Sequence, residues 1–169
     1  MYWLALAGLV VFFCVYEFTI KPSPLKTGYV DVNKLYSEFQ LSKELDMKIK
    51  TVQMARKNIL DSLALTITAY EQQFTDKTPS AEEQKAYEIM QREYGLKQQQ
   101  FVQDNEQLTQ EYQAQIFSQL NQFVQDYSKE KGYDYIFGAN GSGALMATND
   151  NKDLTTILIK YVNNRYAGK

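Results

Sequence analysis

Between Lys34 and Lys131, apolar residues recur at intervals of three and four, the spacing of one face of an α-helix. The pattern predicts one interruption, at residues 75–80, where Pro79 ends a helix. The flanking segments contain no other Pro and almost no Gly, so each predicts a helix of about 60–75 Å. Two such helices joined by a short loop predict a protruding antiparallel hairpin.

The apolar positions form one stripe on each helix, as in a coiled coil. Polar residues interrupt both stripes: Arg56 in the first, and Lys97 and Asp104-Asn105 in the second. The two helices should therefore pair along a seam with weak points, which predicts a bendable hairpin. The first stripe is Leu45, Ile49, Val52, Ile59, Leu63, Ile67, Tyr70 and Phe74; the second is Tyr87, Met90, Tyr94, Phe101, Leu108, Tyr112, Ile116, Phe123 and Tyr127.

Local signals define the ends of these helices. Ser80 followed by Glu83 is the pattern of a capping box at the start of the second helix. Asn33 is a candidate N-cap for the first helix, and Gly132 is a stop for the second. These signals place both ends of the hairpin at one base.

Short β-strands are predicted beside that base, at residues 28–32, 133–137 and 144–147, with a turn at 138–143. Asp153 should cap a final helix from Leu154 to about Arg165. The predicted fold class is α+β, with a small β body and a long antiparallel coiled-coil helical hairpin.

Residues 2–20 are almost wholly apolar and nearly long enough to span a bilayer. An uncleaved membrane anchor, a cleavable secretory signal and a buried core helix are the alternatives. The absence of Lys and Arg before the apolar stretch favours the anchor. Residues 21–27 form a linker, and its Lys21 and Lys26 would weakly favour a cytoplasmic body.

Composition removes several classes of function. The chain has no His and only one Cys, Cys14, so neither a Cys/His metal site nor a His-dependent triad can form within it. A net charge of −2 does not suit a nucleic-acid binder. The glycine-rich segment 138–143 lacks the Lys of a phosphate-binding loop. We expect no catalytic, cofactor-binding or metal-binding residues, and no enzyme.

The order of elements and the motifs at both ends resemble the Skp/OmpH family of periplasmic chaperones. The resemblance covers residues 28–163, and its specific parts are Tyr29-Val30-Asp31, Lys131-Gly132-Tyr133-Asp134 and Asp153-Leu154-Thr155. It implies a homotrimer whose strands form a central body and whose hairpin arms enclose a cavity. That cavity would hold unfolded outer-membrane proteins without ATP.

The resemblance also implies a division of the chain. Residues 1–20 would be the anchor or signal, 21–27 the linker, 28–33 with 131–169 the trimer body, and 34–130 the arm. It implies a body in the periplasm, against the weak charge bias of the two lysines. The expected residues near the three-fold axis are Tyr29, Val30, Tyr135, Phe137 and Leu145.

Binding of clients should then depend on the arms. Arms in this family are often basic, whereas residues 42–130 hold ten Lys and Arg against fourteen Asp and Glu. Apolar and amide contacts must therefore contribute more than charge. A membrane-anchored coiled-coil spacer of an envelope complex is the alternative function. The candidate client-facing residues are Tyr70, Phe74, Tyr87, Tyr94, Phe101, Tyr112 and Phe117, which could equally pack between the two helices.

Overall fold

The computed structural model describes Trp3, residues 24–143 and residues 145–169. The elements follow the order β1 (Thr27–Asp31), α1 (Val32–Glu38), α2 (Gln40–Gln72), α3 (Ala81–Lys131), β2 (Tyr135–Ala139), a 3-10 turn (Asp150–Lys152) and α4 (Thr155–Tyr166). The predicted α+β class with a long helical hairpin is confirmed.

The hairpin consists of α2 and α3, which have 33 and 51 residues and so measure about 50 and 75 Å. The predicted capping box is confirmed: Glu83 N donates to Ser80 Oγ at 3.2 Å, and Ser80 N donates to Glu83 Oε2 at 2.7 Å. The predicted stop at Gly132 is confirmed as well. Gly132 adopts a φ of 65°, a conformation that glycine reaches without the steric cost of a Cβ.

The prediction of a single interruption was wrong, because a second one lies at Phe39. Its extended backbone (φ −73°, ψ 130°) separates α1 from α2. The Phe39 side chain is fully buried, and its ring lies edge-on to Phe123 at 6.3 Å and Tyr166 at 5.6 Å between centroids. Tertiary packing therefore breaks the helix where the local sequence contains neither Gly nor Pro.

The sheet consists of β1 and β2, which pair in parallel from Thr27 opposite Tyr135 to Asp31 opposite Ala139. A parallel pair needs a crossover connection, and here the whole hairpin provides it. The other edge of β1 contacts the start of the final helix, since Leu154 N donates to Tyr29 O at 2.8 Å. At the crowded Gly28, an added Cβ would lie 2.4 Å from the Leu154 side chain.

Four details of the predicted base need correction. The N-cap of the first helix is Asp31 instead of Asn33, since Asp31 Oδ1 accepts from Lys34 N at 3.0 Å. The second strand begins and ends two residues later than predicted. Residues 145–147 are not in a strand, and Ala144 lies outside the described residues. The N-cap of the final helix is Leu154 instead of Asp153, and it makes no side-chain cap hydrogen bond; Asp153, one residue earlier, accepts from Thr155 N at 2.8 Å.

The hydrophobic core lies in the body and at the base of the hairpin. Between residues 46 and 115 no side chain is fully buried, so this part of the hairpin protrudes as an arm. The buried apolar residues are Val30, Leu35, Phe39, Leu41, Leu45, Ile116, Leu120, Tyr127, Leu154, Leu158 and Val162.

None of the helices in the described part of the chain is both long enough and apolar enough to cross a membrane. The anchor predicted at residues 2–20 lies, apart from Trp3, outside the described residues.

Candidate functional site

The arm offers a long surface instead of an enclosed pocket. Within the described ranges, no group of three or more Cys, Asp or Glu side chains is placed to hold a metal ion. Candidate sites for binding are therefore the seam between α2 and α3, the exposed apolar side chains of the arm, and the grooves beside them.

Most of the predicted client-facing aromatics lie at the seam. Near the tip, Tyr70 and Phe74 pack edge-on at 5.1 Å, and the Tyr70 hydroxyl donates to Glu83 O at 3.4 Å. Phe117 differs, because it lies 41% exposed beside Tyr36 of α1, with 5.5 Å between ring centroids. The half-buried members of the set are Tyr70, Phe74, Tyr87, Tyr94, Phe101 and Tyr112.

A polar junction at mid-arm accounts for the interruption at Arg56 in the first apolar stripe and at Asp104-Asn105 in the second. Arg56 of α2 donates to Asn105 Oδ1 and lies 3.6 Å from an oxygen of Asp104, both on α3. Its guanidinium also lies over the Phe101 ring at 5.6 Å, a cation–π geometry. The positions at which each helix lacks an apolar side chain thus face each other. The half-buried Arg56 provides the hydrogen-bond donor and the positive charge for the polar side chains opposite.

The sequence analysis missed a second set of apolar side chains, which point away from the seam. On α2, Met47, Met54 and Leu65 are 61%, 64% and 72% exposed. Their separations of seven and eleven residues return to nearly the same direction on a helix, so they share one face. In the sequence, the only signal of this face is the spacing of seven and eleven residues between apolar side chains outside the seam stripe. On α3 the exposed aliphatic residues are Ile89, Leu96 and Val102.

Three open grooves of about 370, 380 and 460 Å³ lie along the arm, at the tip, the middle and the base. All are shallow and mix apolar with polar walls, so they suit single side chains of an extended polypeptide better than a small molecule. The tip groove contains Phe74, Pro79 and Tyr87; the middle groove contains Ile59, Leu63 and Leu96; the base groove contains Met47, Val52 and Tyr112.

Electrostatics at the tip hold the hairpin loop. Lys77 Nζ lies 2.9 Å from Glu83 Oε1. This hydrogen bond, together with those from Ser80, lowers the pKa of the Glu83 carboxyl to about 2. The carboxylate therefore stays ionised, and the cap of α3 stays complete, throughout the neutral and mildly acidic range.

The body carries exposed aromatics on its strand β2. Tyr135 and Phe137 are 56% and 48% exposed, and their rings stack with 6.0 Å between centroids. Of the other residues predicted near a three-fold axis, Tyr29 and Leu145 are half-buried, and Val30 is buried in the core of its own chain. Among the described residues, β2 pairs only with β1, so its outer edge is open.

The structure thus combines a small β/α body, a protruding helical arm and a set of open grooves along that arm. The sequence model of the OmpH-like outer membrane protein family matches residues 26–162, so the chain belongs to that family.

The structure is similar to the 2.83 Å crystal structure of a candidate outer membrane chaperone (OmpH-like) from Caulobacter crescentus CB15. The TM-score is 0.61 at 15% sequence identity, covering 85% of this chain and 87% of the other. At this identity the likeness establishes the fold alone. No curated protein matches this sequence significantly.

Proposed function

We propose that the protein is an ATP-independent holdase chaperone that binds unfolded outer-membrane proteins in the periplasm. The observation that carries the proposal is the arm, where exposed aliphatic side chains and open grooves extend over residues 46–115 without a buried core. Family membership supports the chaperone role and the periplasmic location.

The chemistry of the arm suits such clients. Strands of outer-membrane barrels alternate apolar and polar residues, so an unfolded client presents isolated apolar side chains along its length. Single Met, Leu and Ile side chains spaced along a helix match that pattern. Each contact is weak, and many contacts in one enclosure give useful affinity because each raises the effective concentration of the next.

We further propose that three copies assemble around the strands. A two-stranded sheet is too small to be stable alone, and the open edge of β2 carries the stacked Tyr135 and Phe137. A closed three-fold arrangement would pair that edge and cover both rings.

Light scattering measures this assembly directly. Residues 25–169 should have the mass of three protomers across the micromolar range, and Phe137→Asp should lower it because a carboxylate would be buried without a partner. A monomeric wild-type segment would exclude the trimer.

The direction of the arm also follows from the base, if residues 2–20 anchor the chain in the inner membrane. Lys26 Nζ donates to Lys131 O at 2.6 Å, and Lys26 N donates to Asp134 Oδ2 at 2.6 Å. The linker thus ends beside the C-terminal end of α3, about 75 Å from the tip. Arms attached this way would extend away from the membrane toward arriving clients.

A membrane-anchored spacer is the second candidate function, and the unbroken 51-residue α3, bonded at mid-arm by Arg56 of α2, favours it. A urea-unfolded β-barrel protein diluted into buffer distinguishes the two. We expect a three-fold molar excess of protomer to suppress its aggregation, equally with and without ATP. Aggregation at an unchanged rate would exclude the chaperone and favour the spacer.

A further inference from the structure

The C-terminal helix α4 contacts both legs of the hairpin where they enter the body. Toward α3, the Tyr161 hydroxyl donates to Glu130 Oε1 at 2.8 Å, and Arg165 lies 3.4 Å from Asp126. Toward α2, the contacts come from Asn163 and Tyr166. One short helix therefore joins the two legs at a fixed separation.

Asn163 bonds both sides of the break at Phe39. Its Oδ1 accepts from Gln40 N at 2.8 Å, and its Nδ2 donates to Glu38 O and to Ile159 O, both at 3.0 Å. Helix ends leave backbone N–H and C=O groups without helical partners. The amide side chain supplies the acceptor for one helix and the donor for the other from two separate atoms.

Tyr166 adds a second contact one turn later. Its ring packs edge-on to Phe39, and its hydroxyl donates to Glu44 Oε2 at 2.7 Å. The hydrogen bond to the Glu44 carboxylate also raises the pKa of the Tyr166 hydroxyl. The first turn of α2 is thus held at its backbone by Asn163 and at its side chains by Tyr166.

We propose that α4 is a clamp that sets the direction of the arm, and that Asn163 is its main positioning residue. Beyond its first turns α2 protrudes with α3, so its direction relative to the body is decided at residues 38–45. A change of one degree there moves the tip by about 1 Å over a lever this long. If the arms hold clients as proposed above, their direction sets how much space is available to a client. The clamp itself does not depend on that proposed function.

Hydrogen exchange of the full chain in detergent micelles, without client, tests the clamp. Asn163→Ala should make amides 40–45 exchange about ten-fold faster, because it deletes hydrogen bonds to both helix ends. Strands β1 and β2 should exchange as in the wild type. The matched control is Asn164→Ala, which removes the same side chain from an exposed neighbouring position and should change nothing.

Two further variants separate clamping from general stability. Asn163→Asp keeps the acceptor for Gln40 and loses the donor to Glu38, so an intermediate rate is expected. Tyr166→Phe deletes one hydroxyl and should speed exchange at residues 41–45 about two-fold. The proposal is overturned by unchanged rates at residues 40–45 in Asn163→Ala, or by equal acceleration in β1 and β2. If Asn163→Ala does not fold, an unchanged rate in Tyr166→Phe overturns it.

Distances between two spin labels report the direction of the arm relative to the body. Cysteines replacing Asp76 at the tip and Lys160 on α4, in a Cys14→Ser chain diluted with unlabelled protein, report the tip-to-body distance. Asn163→Ala should broaden the distribution by several ångströms, and a distribution as narrow as that of Asn164→Ala overturns the proposal.

Discussion

Replacing Phe39 with Ala is expected to cost about 3–5 kcal/mol of the free energy of unfolding, the usual range for a buried Phe. The ring is fully buried between Phe123 of α3 and Tyr166 of α4. Its loss opens a cavity at the point where α1, α2, α3 and α4 meet. With an m-value of about 2 kcal/mol/M, urea unfolding followed by circular dichroism should show a midpoint lower by roughly 1.5–2.5 M.

The matched control is Phe117→Ala. It removes the same side chain from a site 41% exposed, with one aromatic neighbour in Tyr36, and should cost about 1 kcal/mol. Both variants must be compared at one protomer concentration, since assembly adds to apparent stability. Equal shifts in the two variants would show that the break at Phe39 is not a packing centre.

Local sequence signals predicted the elements that depend on local physics. The seam residues, the capping box of Ser80 and Glu83 and the stop at Gly132 all follow from helix periodicity and backbone hydrogen bonding within a few residues. These signals were enough for the fold class.

The features that were missed depend on contacts between distant parts of the chain. Phe39 breaks the helix because Phe123, Tyr166 and Asn163 lie around it, more than 80 residues away. The polar position at Arg56 is visible in the sequence, but its partner Asn105 lies 49 residues away on the other helix.

The candidate binding surface was only partly predictable, for a related reason. Most aromatic residues of the arm belong to the apolar stripes, and the apolar stripe of a helix is the side that packs against its partner helix. The predicted client-facing aromatics therefore lie mostly at the seam. The exposed face of Met47, Met54 and Leu65 is sparser, and its meaning depends on knowing which side of α2 is covered.

The exposed apolar face of α2 should have the second large effect, on the affinity for an unfolded client. Changing Met47, Met54 and Leu65 together to Ser should weaken the binding of an unfolded outer-membrane protein by about ten- to thirty-fold, because apolar area is lost at three contacts. All three side chains are more than half exposed, so the arm should keep its stability.

Two companion variants show which surface binds. Changing Tyr70, Tyr87 and Tyr94 to Ser tests the aromatics that the sequence favoured; because these are half-buried at the seam, helix content should fall as well. Changing the exposed polar residues Gln53, Asn58 and Gln72 of α2 to Ser is the control, and should leave both affinity and helix content unchanged.

The most direct measurement of client binding by the arm is a fluorescence-anisotropy titration. A dye-labelled, urea-unfolded β-barrel protein is diluted into increasing concentrations of wild type, the Met47/Met54/Leu65 variant or the polar control. The account predicts tight binding by wild type and control, and at least about ten-fold weaker binding by the apolar variant. Equal affinity of all three, or no binding by the wild type, would contradict it.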